Sequence, residues 1–379
     1  MNIIDLFSGA GGLSLGASRA GFSVVGAVEW DSFAIETHKI NFPNTIHIQK
    51  DIMALNGKDI LNEIKCNKIE GVIGGPPCQG FSNIGKGNVN DERNQLFIKF
   101  FQLVKEIQPK FFLAENVPGI MQEKYCKIRK DAFSNVKNYI VFPPLEIIAN
   151  EYGAPTTRKR IFFFGYLPGT LNGEISEESF LKKKKPIEQQ IRVRQALEGL
   201  PYKIEGNVSN SGDVVLSKYY LNKFKQANDF YRKRIFDCIP KGVGNKDNID
   251  RLQKSGIITG MYPTVHRQDV QSRYQSLNYG ERDAVSKSVK LNPRMFCPTI
   301  RSGTGPEKGS YQAVRPIHYA EARVITPREA ARLQGFPDWF VLPHTIWHSF
   351  RQIGNSVSPI VAEEILSVIF NVFQNYKLK

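Results

Sequence analysis

A chain of 379 residues with 41% hydrophobic and 23% charged residues exceeds what one compact core usually holds and is neither disordered nor fibrous, so one large domain with a smaller lobe is expected. Five cysteines with no CxxC pair and no His/Cys cluster at metal-ligand spacing fit a reduced, intracellular protein with no metal site. The opening Met1 to Phe7 is too short and acidic for a secretion signal, and no apolar run approaches the roughly 18 residues of a membrane span, so no membrane association is expected.

The net charge is +15, and its distribution says more than its size. Residues 171–318 carry 26 of the 51 Lys and Arg but 15 of the 36 Asp and Glu. A basic lobe of this kind suits a polyanion, because each neutralised phosphate releases counterions. Within it, Lys182 to Lys185 reads as a solvated linker, and Arg232-Lys233-Arg234 as either phosphate contact or a solvated helix face.

In chain order, short apolar runs predict strands at Ile3 to Phe7, Val24 to Val28, Ile46 to Ile48, Val72 to Ile73, Phe111 to Leu113, Leu145 to Ile148 and Ile161 to Phe164. Amphipathic stretches between them predict helices at Leu13 to Ala20, Phe33 to Ile40 and Leu96 to Ile107. This alternation is the pattern of an α/β, doubly wound parallel sheet, whose ligands bind beyond the carboxyl ends of the strands.

Those ends are where the chemistry-bearing residues fall. The first strand runs into Phe7-Ser8-Gly9-Ala10-Gly11-Gly12, a glycine turn that lets a ligand approach the backbone, but Ser14 breaks the dinucleotide-binding spacing. Glu29 follows the second strand, about 20 residues after the glycines, where a carboxylate accepts from ribose hydroxyls. Trp30 offers a face for adenine, and Asp51, before Ile52, an acceptor for an exocyclic amine. Helix caps for Glu29 and Asp51 and a core position for Trp30 are the alternatives. An adenosine without a phosphate chain satisfies the set, and S-adenosylmethionine is the obvious candidate. After the fourth strand, Gly74-Gly75-Pro76-Pro77 aims Cys78 on a stiff loop, although a lone cysteine is more often a small buried hydrophobe. Glu115 ends the fifth strand, and alternation before Ile161 turns Arg158 and Arg160 to one side.

The chain resembles the DNA (cytosine-5) methyltransferases of bacterial restriction-modification systems. The match runs through Asp5-Leu6-Phe7-Ser8-Gly9-Ala10-Gly11-Gly12, Glu29-Trp30, Pro76-Pro77-Cys78-Gln79-Gly80-Phe81-Ser82, Asp91-Glu92-Arg93-Asn94-Gln95-Leu96-Phe97 and Glu115-Asn116-Val117. It resumes at Arg158-Lys159-Arg160, at Arg323 to Pro337 and at Gln352-Ile353-Gly354-Asn355-Ser356-Val357. The resemblance implies a Rossmann-like S-adenosylmethionine-dependent methyltransferase fold. It implies a catalytic domain over 1–170, a target recognition domain over 171–318, and a return to the catalytic domain over 319–379 with a final helix striped by Val361, Ile365, Leu366, Ile369, Val372 and Phe373.

The roles it implies follow from the chemistry. Carbon 5 of cytosine is a poor nucleophile until a thiolate adds to carbon 6. Cys78 is then the nucleophile, Glu115 the acid toward N3, and Arg158 and Arg160 the cations, with Arg160 assigned to the cytosine carbonyl. A carboxyl group that stays protonated needs burial or a negative neighbour. Cofactor contacts carry over to Phe7, Gly9, Ala10, Gly11, Gly12, Glu29, Trp30, Asp51, Ile52, Pro76, Leu96, Asn355 and Ser356. Substrate contacts carry over to Gln79, Ser82 and Asn116, with Arg301 and Gly303 in the glycine-spaced Thr299 to Gly305 segment reading the groove. The partner is double-stranded DNA, with the target base flipped out of the stack. A cognate restriction endonuclease, a monomeric state and a bacterial cytoplasmic location complete the expectation.

Two positions depart from the family pattern, Thr156 where Gln is usual before Arg-x-Arg, and Ser358 where a second Pro is common. A transfer-RNA methyltransferase is disfavoured by the long middle lobe, and an amino-group methyltransferase by Cys78 after the prolines. Retention of Cys78 and Glu115 argues against a binding module, and the glycine spacing against a dehydrogenase.

Overall fold

The computed structural model describes residues 1–66, 68–77, 94–204, 212–226, 229–303 and 314–374. Five parallel strands form one sheet: β1 (Asn2–Leu6), β2 (Ser23–Val28), β3 (Ile46–Ile48), β4 (Gly71–Gly74) and β5 (Phe111–Asn116), in the order β3-β2-β1-β4-β5. The order reverses between β1 and β4, the switch point at which such sheets bind ligands. Beyond β5 the expectation of an all-parallel sheet fails. β8 (Lys159–Tyr166) pairs antiparallel with β5, and both β6 (Ile140–Val141) and β7 (Leu145–Ile148) pair antiparallel with β8. The 149–158 connection is too short for the crossover helix that a parallel return requires.

The central strands β4, β5 and β8 are largely apolar and buried on both faces, as a sheet covered on two sides demands. Ile3, Ile73, Phe111, Leu113, Phe162 and Phe164 belong to one core, and Ile4, Leu6, Val72, Phe112, Ala114, Ile161 and Phe163 to the other. The first core is closed by helix α1 (Gly12–Ala20) and the final helix Pro359–Phe373. The second is closed by α3 (Gly57–Ile64), α4 (Asn94–Ile107) and α5 (Cys126–Phe133), while α2 (Ser32–Asn41) links β2 to β3. The C-terminal Ile346–Phe373 stretch passes a length-and-hydropathy test for a membrane span, yet 78% of its apolar window is buried in this core.

The segment around the helix Pro327–Gln334 ties 193–261 to the C-terminal region. Arg328, fully buried, donates to the carbonyls of Thr259, Pro337 and Phe340. Arg332 forms a two-pronged buried pair with Asp338, at 2.7 and 2.6 Å, and reaches the Glu198 carbonyl. A buried guanidinium is tolerated when its donors are all directed at acceptors, and these two are.

The basic middle is less available than its composition suggests. Arg232 is paired with Glu198 and Asp229, and Arg234 with Glu363 at 2.6 Å while stacking on Phe230. Lys184 pairs with Glu151, and Lys185 with Glu364. Arg232 and Arg234 thus have acidic neighbours within the protein, and Lys184 pairs with Glu151 while staying 41% exposed.

Candidate active site

The glycine turn after β1 is strained in the way ligand-binding turns often are. Phe7 sits at φ 60, a left-handed conformation that costs a bulky residue on the order of 1–3 kcal/mol, and Gly9 and Gly11 continue at φ 55 and 100. Gly12 lies against the far end of the chain, where an added Cβ would stand 2.3 Å from the Val357 carbonyl oxygen. Around Gly9 the opposite holds: an added Cβ would meet none of the described residues within 4 Å. The turn thus leaves an open space above its backbone. Glu29 lies beside it, accepting from Gly9 N at 2.9 Å and from Asp31 N at 2.8 Å, and burial pushes its carboxyl pKa up. The buried Ser8 hydroxyl has no hydrogen-bond partner among the described residues.

The other positions carried over from sequence gather more loosely. Trp30 is 70% exposed, so it is not a core residue. Asp51 caps the short turn Ile52–Ala54 by accepting from Met53 N at 2.9 Å, as the capping alternative anticipated, and Ile52 is buried behind it. Leu96 is half-buried at the start of α4. Asn355 is exposed at the end of the helix Ile346–Asn355, followed by buried Ser356, whose carbonyl accepts from Gln334 Nε2 at 2.8 Å. Cys78, Gln79 and Ser82 lie outside the described residues.

The loop leading to Cys78 is fixed at its root. Pro76 O accepts from Asn116 Nδ2 at 3.3 Å, and an added Cβ on Gly75 would stand 3.2 Å from Glu115 Oε2. Glu115 and Asn116 are the last residues of β5 rather than loop residues. The β5–β8 register places Glu115 opposite Phe162, so Arg160, two residues earlier on β8, shares the Glu115 face. Arg160 Nε is 2.7 Å from Glu115 Oε1, and both side chains are largely buried. The burial expected for Glu115 is present, and its neighbour is a cation.

Arg158 reaches a different segment. Its Nη1 donates to the Ile300 carbonyl at 3.3 Å, and backbone bonds from Thr157 N to Cys297 O and from Cys297 N to Pro155 O hold the two segments side by side. Ile300 leads directly to Arg301 and Gly303. That segment runs against the Ile346–Asn355 helix, where an added Cβ on Gly354 would meet Ser302 N at 2.5 Å. Arg301 is exposed, with its backbone against Gly354, one residue before Asn355. Thr156 and Ser358, the two departures, are both buried with hydroxyls that have no partner among the described residues.

One buried chain was not legible in sequence. Ser14 Oγ donates to Asp5 Oδ2 at 2.5 Å, His38 Nε2 is 3.0 Å from Ser14 Oγ, and His38 Nδ1 is 2.8 Å from His47 Nε2. Burial pushes the Asp5 carboxyl up to about 7 against the Ser14 hydrogen bond. His38 and His47 carry no local motif, and only the folded contact between α1 and α2 reveals them.

A 3-2-1-4-5 sheet extended by an antiparallel strand, with a glycine turn and a carboxylate beside it at the switch point, is a doubly wound architecture of the kind that binds ligands beyond its strand ends. The sequence profile of the C-5 cytosine-specific DNA methylases matches residues 1–371, and the chain belongs to that family. It is similar to the Type II methyltransferase M.XorII of Xanthomonas oryzae pv. oryzae, 35% identical over 367 residues that cover 96% of this chain and 82% of that protein. It is also similar to M.DdeI of Desulfomicrobium norvegicum, 31% identical over 100% of this chain and 90% of the relative. Among solved structures, a prophage-encoded E. coli protein described as a DNA modification methyltransferase is 47% identical and superposes with a TM-score of 0.87 over 99% of this chain and 100% of its own. The S. pombe Dnmt2 methyltransferase, 18% identical with a TM-score of 0.63 over 98% of both chains, shares the fold. The protein is a DNA (cytosine-5) methyltransferase of the restriction-modification type.

Proposed function

We propose that this enzyme transfers a methyl group from S-adenosylmethionine to carbon 5 of a cytosine flipped out of double-stranded DNA, at a recognition sequence read by residues 171–318. The observation that carries the reading is the Glu115–Arg160 pair standing beside Gly75, at the root of the loop that bears Cys78. The residues at the glycine turn fit an adenosine-bearing cofactor: open space over Gly9, an unpartnered Ser8 hydroxyl, the Glu29 carboxylate and the exposed face of Trp30. When bound, S-adenosylmethionine supplies an electrophilic methyl group.

The protein's own residues do the rest. The backbone of Phe7, Gly9, Ala10, Gly11 and Gly12 cradles the cofactor, with Asp51 and Ile52, Pro76, Leu96, Asn355 and Ser356 around it. The Cys78 thiolate adds to carbon 6, and the electron pair of the 5,6 double bond moves toward N3, where Glu115 donates a proton. Arg160 binds the cytosine carbonyl, and Arg158 keeps the Ile300–Gly303 segment against the cleft. Carbon 5 then takes the methyl group, the donor leaving as the neutral thioether; the N3 proton returns to Glu115, and loss of the carbon 5 proton to a base expels the Cys78 thiolate from carbon 6 and restores the ring. Gln79, Ser82 and Asn116 contact the extruded nucleotide, at an unstacking cost of a few kcal/mol, and Arg301 and Gly303 reach the groove. The catalytic domain is formed by 1–170 and 319–379, and the protein acts as a monomer in the bacterial cytoplasm, where its product protects DNA from a cognate endonuclease. Bisulfite sequencing of a plasmid carrying the gene tests the reading: one short motif methylated throughout is expected, and a plasmid with no 5-methylcytosine would contradict it.

A further inference from the structure

The Ile346–Asn355 helix touches the cofactor side of the sheet in a way that the functional reading leaves unexplained. Arg351 Nη1 is 2.9 Å from Asp31 Oδ2, and Gln352 Nε2 donates to the Phe33 carbonyl at 2.9 Å. One turn earlier His348 stacks on Phe33 with ring centroids 3.7 Å apart, and the Arg351 guanidinium lies over the Trp347 ring at 5.1 Å. The contacts to Asp31 and Phe33 join residues more than 300 positions apart in sequence. Gln352 is 6% exposed, and its Oε1 has no hydrogen-bond partner among the described residues.

What they grip is the turn that carries Glu29 and Trp30. Asp31 is shared three ways: its N–H donates to Glu29 Oε1, its Oδ1 caps α2 by accepting from Ala34 N at 2.9 Å, and its Oδ2 meets Arg351. Glu29 in turn accepts from Gly9 N. A continuous path of polar contacts therefore runs from the glycine turn through Glu29 and Asp31 to Arg351, and the helix bearing Arg351 ends at Asn355. We infer that Arg351 and Gln352 are positioning residues for the cofactor, which hold the Glu29–Trp30–Asp31 turn and the Asn355–Ser356 end at a fixed separation across the pocket. This rests on the assignment of that pocket to S-adenosylmethionine.

An ion pair this exposed contributes little to global stability, so its effect should appear in ligand binding rather than in folding. The test is calorimetric binding of S-adenosylhomocysteine to the full-length protein, with cofactor KM and kcat measured alongside. Arg351→Ala and Asp31→Asn, which keeps the cap, should each weaken binding by about threefold, consistent with an exposed pair. The double variant should be no worse than either single one, because the pair acts as a unit. Arg351→Lys should restore most of the affinity, and Gln352→Leu should weaken it by about threefold by removing the Nε2 donor that ties the helix to the Phe33 carbonyl, which keeps the Thr37 hydroxyl as a donor. The cofactor KM should rise in step while kcat changes less than twofold and the melting temperature holds. Affinity unchanged in Arg351→Ala, Asp31→Asn and Gln352→Leu, or losses that simply multiply in the double variant, would overturn the inference while leaving the functional reading intact. No binding by the wild-type protein would overturn both.

Discussion

Arg160 Nε lies 2.7 Å from Glu115 Oε1 across the antiparallel β5–β8 pair, so the acid and the cation assigned to the target ring are already in contact before DNA arrives. They stand on neighbouring strands, whose register leaves little freedom to drift. Rigid strands position catalytic groups better than loops do.

Replacement of either partner should therefore damage methyl transfer far more than DNA binding. Glu115→Gln keeps the shape but removes the proton, and should lower kcat by on the order of 10²- to 10⁴-fold. Arg160→Ala should lower it as well, and the two losses should not multiply. Incorporation of labelled methyl groups into duplex DNA, with gel-shift affinity as the control, measures both. Near-normal turnover in Glu115→Gln would remove it from the mechanism.

The Asp5 carboxyl gives a pH dependence of definite sign. Burial raises its pKa to about 7, above the ordinary range of an aspartate, so the folded state holds the proton more tightly than the unfolded state. Its favourable contribution is complete below about pH 4 and is lost as pH rises through 7. Asp5→Asn, which still accepts from Ser14, should accordingly gain stability relative to wild type between pH 4 and 7. Urea midpoints at the two ends of that range report the change; a constant difference between the two proteins would show that Asp5 is ionised throughout.

Much of this arrangement was legible in the sequence because the residues involved are local. The Phe111 to Ala114 run assigns successive side chains to alternate cores, and the strand ends carried Glu29, Glu115 and the glycine turn at the expected places. The direction of β8 is not written in its apolar run; it follows from the short 149–158 connection after β7, which excludes a helical crossover. Charge counting alone does not reveal that Glu198, Asp229 and Glu363 stand beside Arg232 and Arg234. The His38–His47 chain and the Arg351–Asp31 contact join distant segments and leave no periodic trace.

The buried Arg332–Asp338 pair should matter to folding rather than to chemistry. Asp338→Ala leaves an uncompensated guanidinium in the core and should cost about 3–5 kcal/mol. Arg332→Met combined with Asp338→Leu should cost less than Asp338→Ala alone. Chemical denaturation orders the three proteins, and equal stability of Asp338→Ala and wild type would mean that solvent reaches this site.

Contacts with DNA phosphates should follow exposure rather than sequence clustering. Arg232→Gln should leave the salt dependence of DNA binding unchanged, because its guanidinium is engaged with Glu198 and Asp229. Arg301→Ala should lower the log–log slope by about 0.9 if it meets one phosphate. Titrations at several salt concentrations distinguish them, and the reverse ranking would relocate the interface.

The most direct test of the central claim is covalent trapping on duplex DNA with 5-fluorocytosine at the target position, in the presence of S-adenosylmethionine. Fluorine cannot leave as a proton does, so the adduct formed after methyl transfer persists. A denaturant-stable complex that maps to Cys78 and is absent in Cys78→Ala is the expected result. A variant lacking Cys78 that still methylated DNA at the wild-type rate, or a wild-type enzyme that turned over without ever forming the complex, would contradict the account.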